Sequence, residues 1–85
     1  MNRTLRYPDE AVNGNIMGTV VVVFDVDTTG AVSNVWTISG PTKGGLREES
    51  IRLVKVSGKW VPATLNGHPV NFTMQQPIVF KLAGR

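Results

Sequence analysis

The stretch that most constrains the fold is Gly18–Val26, which contains the longest apolar run of the chain and reads GTVVVVFDV. Side chains branched at Cβ are stiff and pack well on a pleated surface, so this run predicts a strand. Both faces of that strand are apolar, since one carries Val20, Val22, Phe24 and Val26 and the other carries Val21 and Val23. A strand of this kind is typical of the centre of a sheet, and we expect the other elements to pair with it or pack on it.

Length and charge narrow the class of protein. The chain has 85 residues and no cysteine, which predicts one small domain without disulfides or thiolate metal sites. Its net charge is +3, and the nine Lys and Arg residues are scattered along the sequence. Nucleic-acid-binding proteins concentrate such residues on one face, so we expect no nucleic-acid partner. The sequence contains neither a signal peptide nor an apolar stretch long enough to span a bilayer, which fits a cytoplasmic protein or a piece of a larger one.

The first half of the chain predicts a short helix and two strands. The helix covers Tyr7–Gly14, with Pro8 in its first turn and Gly14 in the left-handed conformation at its end. The central strand runs from Ile16 to Asp27, and the turn Asp27–Gly30 leads to a returning strand over Ala31–Ser39. The apolar residues of the returning strand do not alternate cleanly, which indicates a bulge near Asn34.

The second half predicts a longer helix and a long strand. Leu46–Ser57 has a single apolar stripe with Gly58 as its C-terminal cap, and Glu48 is expected to pair with Arg52. Asn66 and Gly67 form a strong hairpin-turn signal. From Val70 to Leu82 apolar residues recur at every second position, interrupted only by Gln76, which predicts one strand with a buried face. Pro77 cannot donate a ladder hydrogen bond, so this strand should lie at an edge or break there.

This order of elements predicts an α+β domain, in which a three-stranded antiparallel sheet carries two helices on one face. The domain is expected to span residues 7–85 and to follow a flexible tail of residues 1–6. The pattern assigns six large side chains to the core: Val22, Phe24, Leu53, Trp60, Phe72 and Phe80.

The sequence contains only weak candidates for catalytic or metal-binding residues. His68 is the only histidine and sits in a turn, and Asp25 and Asp27 fit a solvated strand end better than an acid–base pair. Gly44 and Gly45 lack the Lys-Ser/Thr that a phosphate-binding loop requires. Trp36 and Trp60 are expected at the core or its rim. The sequence therefore predicts neither an enzyme nor a metal or cofactor site.

The order and spacing of several short motifs resemble the C-terminal domain of TonB, the periplasmic energy transducer of Gram-negative bacteria. The matching pieces cover nearly the whole chain and are Tyr7-Pro8-x-x-Ala11, Gly18-Thr19-Val20-Val21-Val22, Phe24-x-Val26-x-x-x-Gly30-x-Val32, Leu46…Ile51, Trp60-x-Pro62-Ala63-x-x-x-Gly67-x-Pro69-Val70 and Pro77-Ile78-x-Phe80-x-Leu82. The start of the long helix departs from the family, which often has Leu-Asp and small Ala residues there. Ser50 then falls on the buried stripe and is expected to bond a backbone carbonyl one turn earlier.

The resemblance implies a binding module that captures the TonB box, a short segment of an outer-membrane transporter, as an added β-strand. It also implies coupling to inner-membrane motor proteins, and a periplasmic location with an N-terminal inner-membrane helix that this chain lacks. An alternative is the TonB-like domain of a membrane sensor, such as a metallopeptidase fusion, whose ligand is unknown.

The predicted binding surface combines the edge of the last strand with the tail before Tyr7. Its residues are Thr4, Leu5, Arg6, Val70, Asn71, Phe72, Thr73, Met74 and Gln75. The outward side chains of the strand are polar and uncharged, so no row of lysines would block an incoming chain. The same unpaired edge also predicts a possible homodimer.

Overall fold

The computed structural model describes residues 5–82. The elements, in chain order, are α1 (Asp9–Asn13), β1 (Gly18–Val26), β2 (Val32–Ser39), α2 (Leu46–Val56), β3 (Ala63–Leu65), β4 (His68–Val70) and β5 (Phe72–Phe80). No helix within this range combines the length and the apolar character that crossing a membrane requires.

The main sheet has three antiparallel strands in the order β2-β1-β5, so β1 is central as its two apolar faces predict. Its pairing with β5 is continuous, from Gly18 opposite Phe80 to Val26 opposite Phe72. Both helices bury side chains in the same cluster on one face of this sheet. The predicted α+β architecture is therefore confirmed.

The core lies between the helices and one face of β1. Phe24, Val22 and Phe80 are buried there as predicted, while Trp60 and Phe72 are half-buried and pack against them. The prediction for Leu53 is wrong, because this side chain is half-buried and lines a surface groove. The reason is that α2 packs over β1 and β2, which leaves the helical face of β5 partly uncovered.

Strand β2 contains the predicted bulge. Asn34 has a φ of 52°, and the register shifts between Val23 and Asp25 of the facing strand. A second shift, which the sequence did not indicate, lies between Val21 and Val22 and leaves Ile38 52% exposed.

Helix α2 forms largely as its sequence predicts. Ser50 donates from Oγ to the carbonyl oxygen of Leu46 at 2.8 Å, which confirms the expected bond one turn earlier. Gly58 follows the helix with a φ of 85°. The predicted salt bridge between Glu48 and Arg52 needs correction. Arg52 instead pairs with Glu49, three residues earlier, at an N–O distance of 2.6 Å.

Helix α1 is shorter than predicted. It begins at Asp9 after Pro8, which is extended and precedes the helix. The prediction of a left-handed Gly14 is wrong, since its φ is −89° and the left-handed residue is Asn15, with a φ of 54°. Asparagine tolerates this conformation better than other residues with a Cβ, so it can end the helix without glycine.

The predicted hairpin forms as a small sheet of its own, in which β3 pairs with β4. Its turn residues Asn66 and Gly67 have φ values of 52° and 82°, the pattern of a type I′ turn. The prediction of one strand from Val70 to Leu82 needs correction, because Val70 pairs with Ala63 in the hairpin and β5 begins only at Phe72.

The turn between β1 and β2 is tied to the segment after α2. Gly30 is buried with a φ of 87°, and its carbonyl oxygen accepts a hydrogen bond from the Trp60 N–H at 2.9 Å. A Cβ at Gly30 would collide with the carbonyl oxygen of Trp60. Glycine is therefore required here both by the backbone conformation and by the close approach of a second chain segment.

Candidate functional site

The outer edge of β5 is the candidate site. This strand pairs with β1 on one side, and no other strand of residues 5–82 pairs with its second side. Its side chains alternate in environment. Those on the helical face are half-buried or buried (Phe72, Met74, Gln76, Ile78 and Phe80), and those on the other face are exposed (Thr73, Gln75, Pro77 and Val79).

Pro77 indicates which backbone groups point outward. It lies opposite Val21 in a register that continues through it, although proline has no N–H to donate. The ladder can tolerate proline only where the backbone nitrogen faces away from the neighbouring strand. Since the direction alternates along a strand, Thr73 and Gln75 also direct their N–H and C=O groups toward the free edge. The N–H groups of Thr73 and Gln75 thus point toward the free edge, whereas Pro77, the next residue of the same phase, has no N–H to donate.

The pair Asp25 and Asp27 at the end of β1 is structural. Asp25 accepts hydrogen bonds from Thr73 Oγ1 at 2.7 Å and Asn34 Nδ2 at 2.9 Å, so it links β1 to both neighbouring strands. The bond from Asn34 and then that from Thr73 lower the pKa of Asp25. A carboxylate held ionised in this way is a poor candidate for a general acid.

Asp27 closes the turn that follows. Its Oδ1 accepts hydrogen bonds from Thr29 Oγ1 at 2.6 Å, Thr29 N at 2.8 Å and Ala31 N at 3.0 Å. These bonds, with the Thr29 side chain first, lower the pKa of Asp27. The carboxylate therefore stabilises the turn, as expected for an aspartate at that position.

The structure places the two halves of the predicted binding surface at opposite ends of β5. Thr4 lies outside the described residues. Leu5 packs against the core, and the rings of Tyr7 and Phe80 form a T-shaped contact with their centroids 5.5 Å apart. Met74 is six residues from Phe80, a distance of about 20 Å along a strand. The N-terminal segment and the Val70–Gln75 segment therefore do not form one continuous patch.

The other predicted residues of the last strand divide by environment. Phe72 and Met74 pack against the core, and Asn71 accepts a hydrogen bond at Oδ1 from the Thr28 N–H at 3.1 Å. Of the predicted residues, Thr73 and Gln75 are therefore those whose backbone groups face the free edge, since Phe72 and Met74 direct theirs toward β1.

Glu49 anchors the N-terminal segment to α2. Its side chain is only 8% exposed and accepts hydrogen bonds from the Arg6 main-chain N–H at 2.7 Å and from Arg52 Nε at 2.7 Å. The bond from Arg52, together with the one from Arg6, lowers the pKa of Glu49 despite its burial. A lowered folded-state pKa means that Glu49 stabilises the fold above its ordinary pKa of 4.5, and that this contribution is lost as the pH falls through the folded-state value.

Replacing Glu49 with glutamine should therefore lower the free energy of unfolding by about 1–3 kcal/mol at pH 7, because the charged acceptor of three hydrogen bonds, one from Arg6 and two from Arg52, is lost. Urea titration of parent and variant at several pH values measures this difference, which should shrink below pH 4.5 as the parent carboxylate becomes protonated. Glu48→Gln, at an exposed position of the same turn, is the matched control and should have little effect. Equal stability of the Glu49 variant and its parent at pH 7 would contradict the anchoring role.

A groove that the sequence did not predict lies along the helical face of β5. It has a volume of about 350 Å³ and is formed by α2, the segment after it and β5, with Leu53, Val54, Ser57, Lys59, Trp60, Val61, Gln76 and Ile78 as its lining. The sequence signal was present but ambiguous, since Leu53 and Trp60 have the spacing of core residues and nothing local shows that α2 leaves β5 uncovered.

The free edge of β5 can bind an extended chain through main-chain hydrogen bonds. Within residues 5–82 there is no group of three or more His, Asp and Glu side chains that could hold a metal ion, and His68 is exposed. The outward groups of Thr73 and Gln75 are those that strand addition uses.

Comparison with known proteins identifies the family. No curated protein matches the chain. The sequence model of the Gram-negative bacterial TonB protein C-terminal family matches residues 3–82, nearly the whole chain. Domains of this family are non-catalytic transducer and binding modules that interact with outer-membrane transporters. The chain therefore belongs to the family of Gram-negative bacterial TonB protein C-terminal domains.

Proposed function

We propose that this domain captures the TonB box of an outer-membrane transporter as a strand added to the free edge of β5. The observation that supports the proposal is the free edge of β5, where the N–H groups of Thr73 and Gln75 point outward in a domain of the TonB family. In this function the domain couples energy from the inner membrane to import.

The chemistry of the edge suits a partner of varied sequence. Thr73 and Gln75 present uncharged side chains beside their outward backbone groups, so an incoming chain meets no row of like charges. In strand addition main-chain hydrogen bonds supply affinity, whereas side-chain pockets supply specificity. Pro77 has no donor and limits the addition to the first half of β5, which keeps the hydrogen-bonded segment short.

The proposal includes the rest of the transducer and its location. The domain acts in the periplasm, and an N-terminal helix outside this chain anchors it in the inner membrane and connects it to the motor proteins. The family model describes the TonB protein itself and so gives no support to the sensor-protein alternative. A second copy of the domain can pair at the same edge, and such a homodimer would compete with the transporter segment.

A proline substitution at Gln75 tests the edge directly. Gln75→Pro removes one outward N–H and leaves the donors that face β1 intact, since Gln75 has the same phase as Pro77. We expect the variant to bind a synthetic TonB-box peptide at least about tenfold more weakly, measured by amide chemical-shift titration of the labelled domain. In the parent, the shifts should be largest at Thr73 and Gln75.

The matched control is Gln75→Ala, which changes the same side chain and keeps the N–H. It should bind the peptide like the parent because the side chain is exposed and makes no described contact with the core. Thermal melting of both variants shows whether the fold is retained. Shifts confined to α2, together with parent-like binding by a folded Gln75→Pro, would overturn strand addition at this edge.

A further inference from the structure

The groove beside β5 is positioned to receive part of any chain that pairs with that strand. Gln76 and Ile78 form one wall of the groove from the helical face of β5, and Trp60 and Val61 contribute to the lining from the segment after α2. Val61 is 87% exposed, so this side of the groove is open to solvent. The groove and the free edge therefore belong to the same side of the molecule.

The register of an added strand determines which of its side chains reaches the groove. Because Thr73 and Gln75 use their backbone groups at the free edge, Gln76 directs its own toward β1. In an added strand of either direction, one residue then lies beside Gln76 across the new pairing. Side chains of such a pair share one face of the sheet, which here is the helical face that contains the groove.

The buried polar atoms at the groove already have partners. Ser57 Oγ donates to the Val54 carbonyl oxygen at 2.8 Å and accepts from Trp60 Nε1 at 3.1 Å. Gln76 Nε2 donates to the Pro77 carbonyl oxygen at 3.1 Å. Among residues 5–82 no buried side-chain nitrogen or oxygen lacks a hydrogen-bond partner. An uncharged polar side chain entering here would lose water without gaining a buried partner, whereas an aliphatic one would bury apolar surface against Leu53, Trp60 and Ile78. Lys59 is the only cation of the lining and is exposed, so an ion pair with it would be screened by water and would add little.

We propose that this groove is a side-chain subsite for the added strand, and that it takes one aliphatic side chain from the residue paired opposite Gln76. Its volume of about 350 Å³ is at the small end of the range of ligand pockets, about 300–1,000 Å³, and suits a side chain better than a cofactor. The inference rests on the proposed function, because the occupant is the peptide that the β5 edge captures. It adds a specificity determinant to a contact otherwise made by the main chain.

The test uses synthetic TonB-box peptides in which each position in turn carries leucine, glycine or aspartate. Affinities are measured by calorimetry, and groove occupancy by the emission of Trp60 in a Trp36→Phe variant, which makes Trp60 the only tryptophan. Trp36 lies in β2, away from the groove. We expect a single peptide position at which leucine binds at least about tenfold more tightly than glycine or aspartate and shifts the Trp60 emission to shorter wavelength.

A pair of domain variants checks the location. Val61→Asp places a carboxylate on the groove wall and should weaken binding of the leucine peptide several-fold. Leu65→Asp is the control, at an exposed position of the β3–β4 hairpin outside the groove, and should leave the affinity unchanged. If no peptide position shows a side-chain preference while the Thr73 and Gln75 amides still shift, the subsite is wrong and strand addition stands. If the peptides neither bind nor shift these amides, the proposed function fails, and the subsite with it.

Discussion

Replacing Phe24 with alanine is expected to lower the free energy of unfolding by about 3–5 kcal/mol. The Phe24 side chain is fully buried on the helical face of the central strand, and its ring centroid lies 4.9 Å from that of Trp60. Removing the ring leaves a cavity that β1 cannot close, because strands pair with it on both sides. A domain of this size has a total stability of about 5–10 kcal/mol, so the variant should lose about half of it and melt well below the parent.

Thermal melting and urea titration followed by circular dichroism measure this effect. Val79→Ala is the control, because Val79 belongs to the same sheet and is 63% exposed, so its loss should change stability by less than about 1 kcal/mol. A Phe24→Ala variant that melts within a few degrees of the parent would show that the core is not organised around β1.

Replacing Gly30 with alanine should cost at least about 2 kcal/mol, although only one methyl group is added. Two effects combine there. A φ of 87° is unfavourable for any residue with a Cβ, by about 1–2 kcal/mol, and the new methyl group would also collide with the Trp60 carbonyl oxygen. Relief of that collision requires the Trp60 segment to move, which strains the hydrogen bond between the Trp60 N–H and Gly30.

Gly67 provides a matched control for the collision. Its φ of 82° is close to that of Gly30, yet a Cβ at Gly67 would have no atom within 4 Å. Gly67→Ala should therefore show the cost of the backbone conformation alone, and Gly30→Ala the sum of both effects. Equal losses of melting temperature in the two variants would contradict the requirement for a close approach at Gly30.

Local patterns predicted those parts of the fold that depend on neighbouring residues. The central position of β1 follows from its two apolar faces, the hairpin from Asn66-Gly67, and the bond of Ser50 to Leu46 from helix geometry. The break at Asn71 was not predictable in this way, because the alternation of apolar residues continues across it. It reflects the pairing of Val70 with Ala63 in a separate hairpin, which the alternation from Val70 to Leu82 does not show.

The candidate site was predictable only in part. The unpaired edge of β5 follows from Pro77, which the sequence shows directly, and the same proline indicates the outward phase of Thr73 and Gln75 once the register is known. The anchoring role of Glu49 was missed because it resembles an ordinary surface acid in the first turn of a helix. Its burial depends on the Arg6 backbone, 43 positions earlier in the chain. The groove was missed for a similar reason, since it exists only because α2 lies over β1 and β2.

The position of the Tyr7–Phe80 contact determines how the domain would carry a mechanical load. The N-terminal segment is fixed at the Phe80 end of β5, and the outward donors Thr73 and Gln75 lie toward the other end. If a captured peptide leaves the domain at the Phe72 end, tension between it and the N-terminal segment acts along the axis of the strand. Hydrogen bonds loaded in this direction are sheared together and share the force, whereas a load across the strand would peel them apart one at a time. A short segment of main-chain pairing can in this way resist a pull larger than any of its bonds would withstand alone.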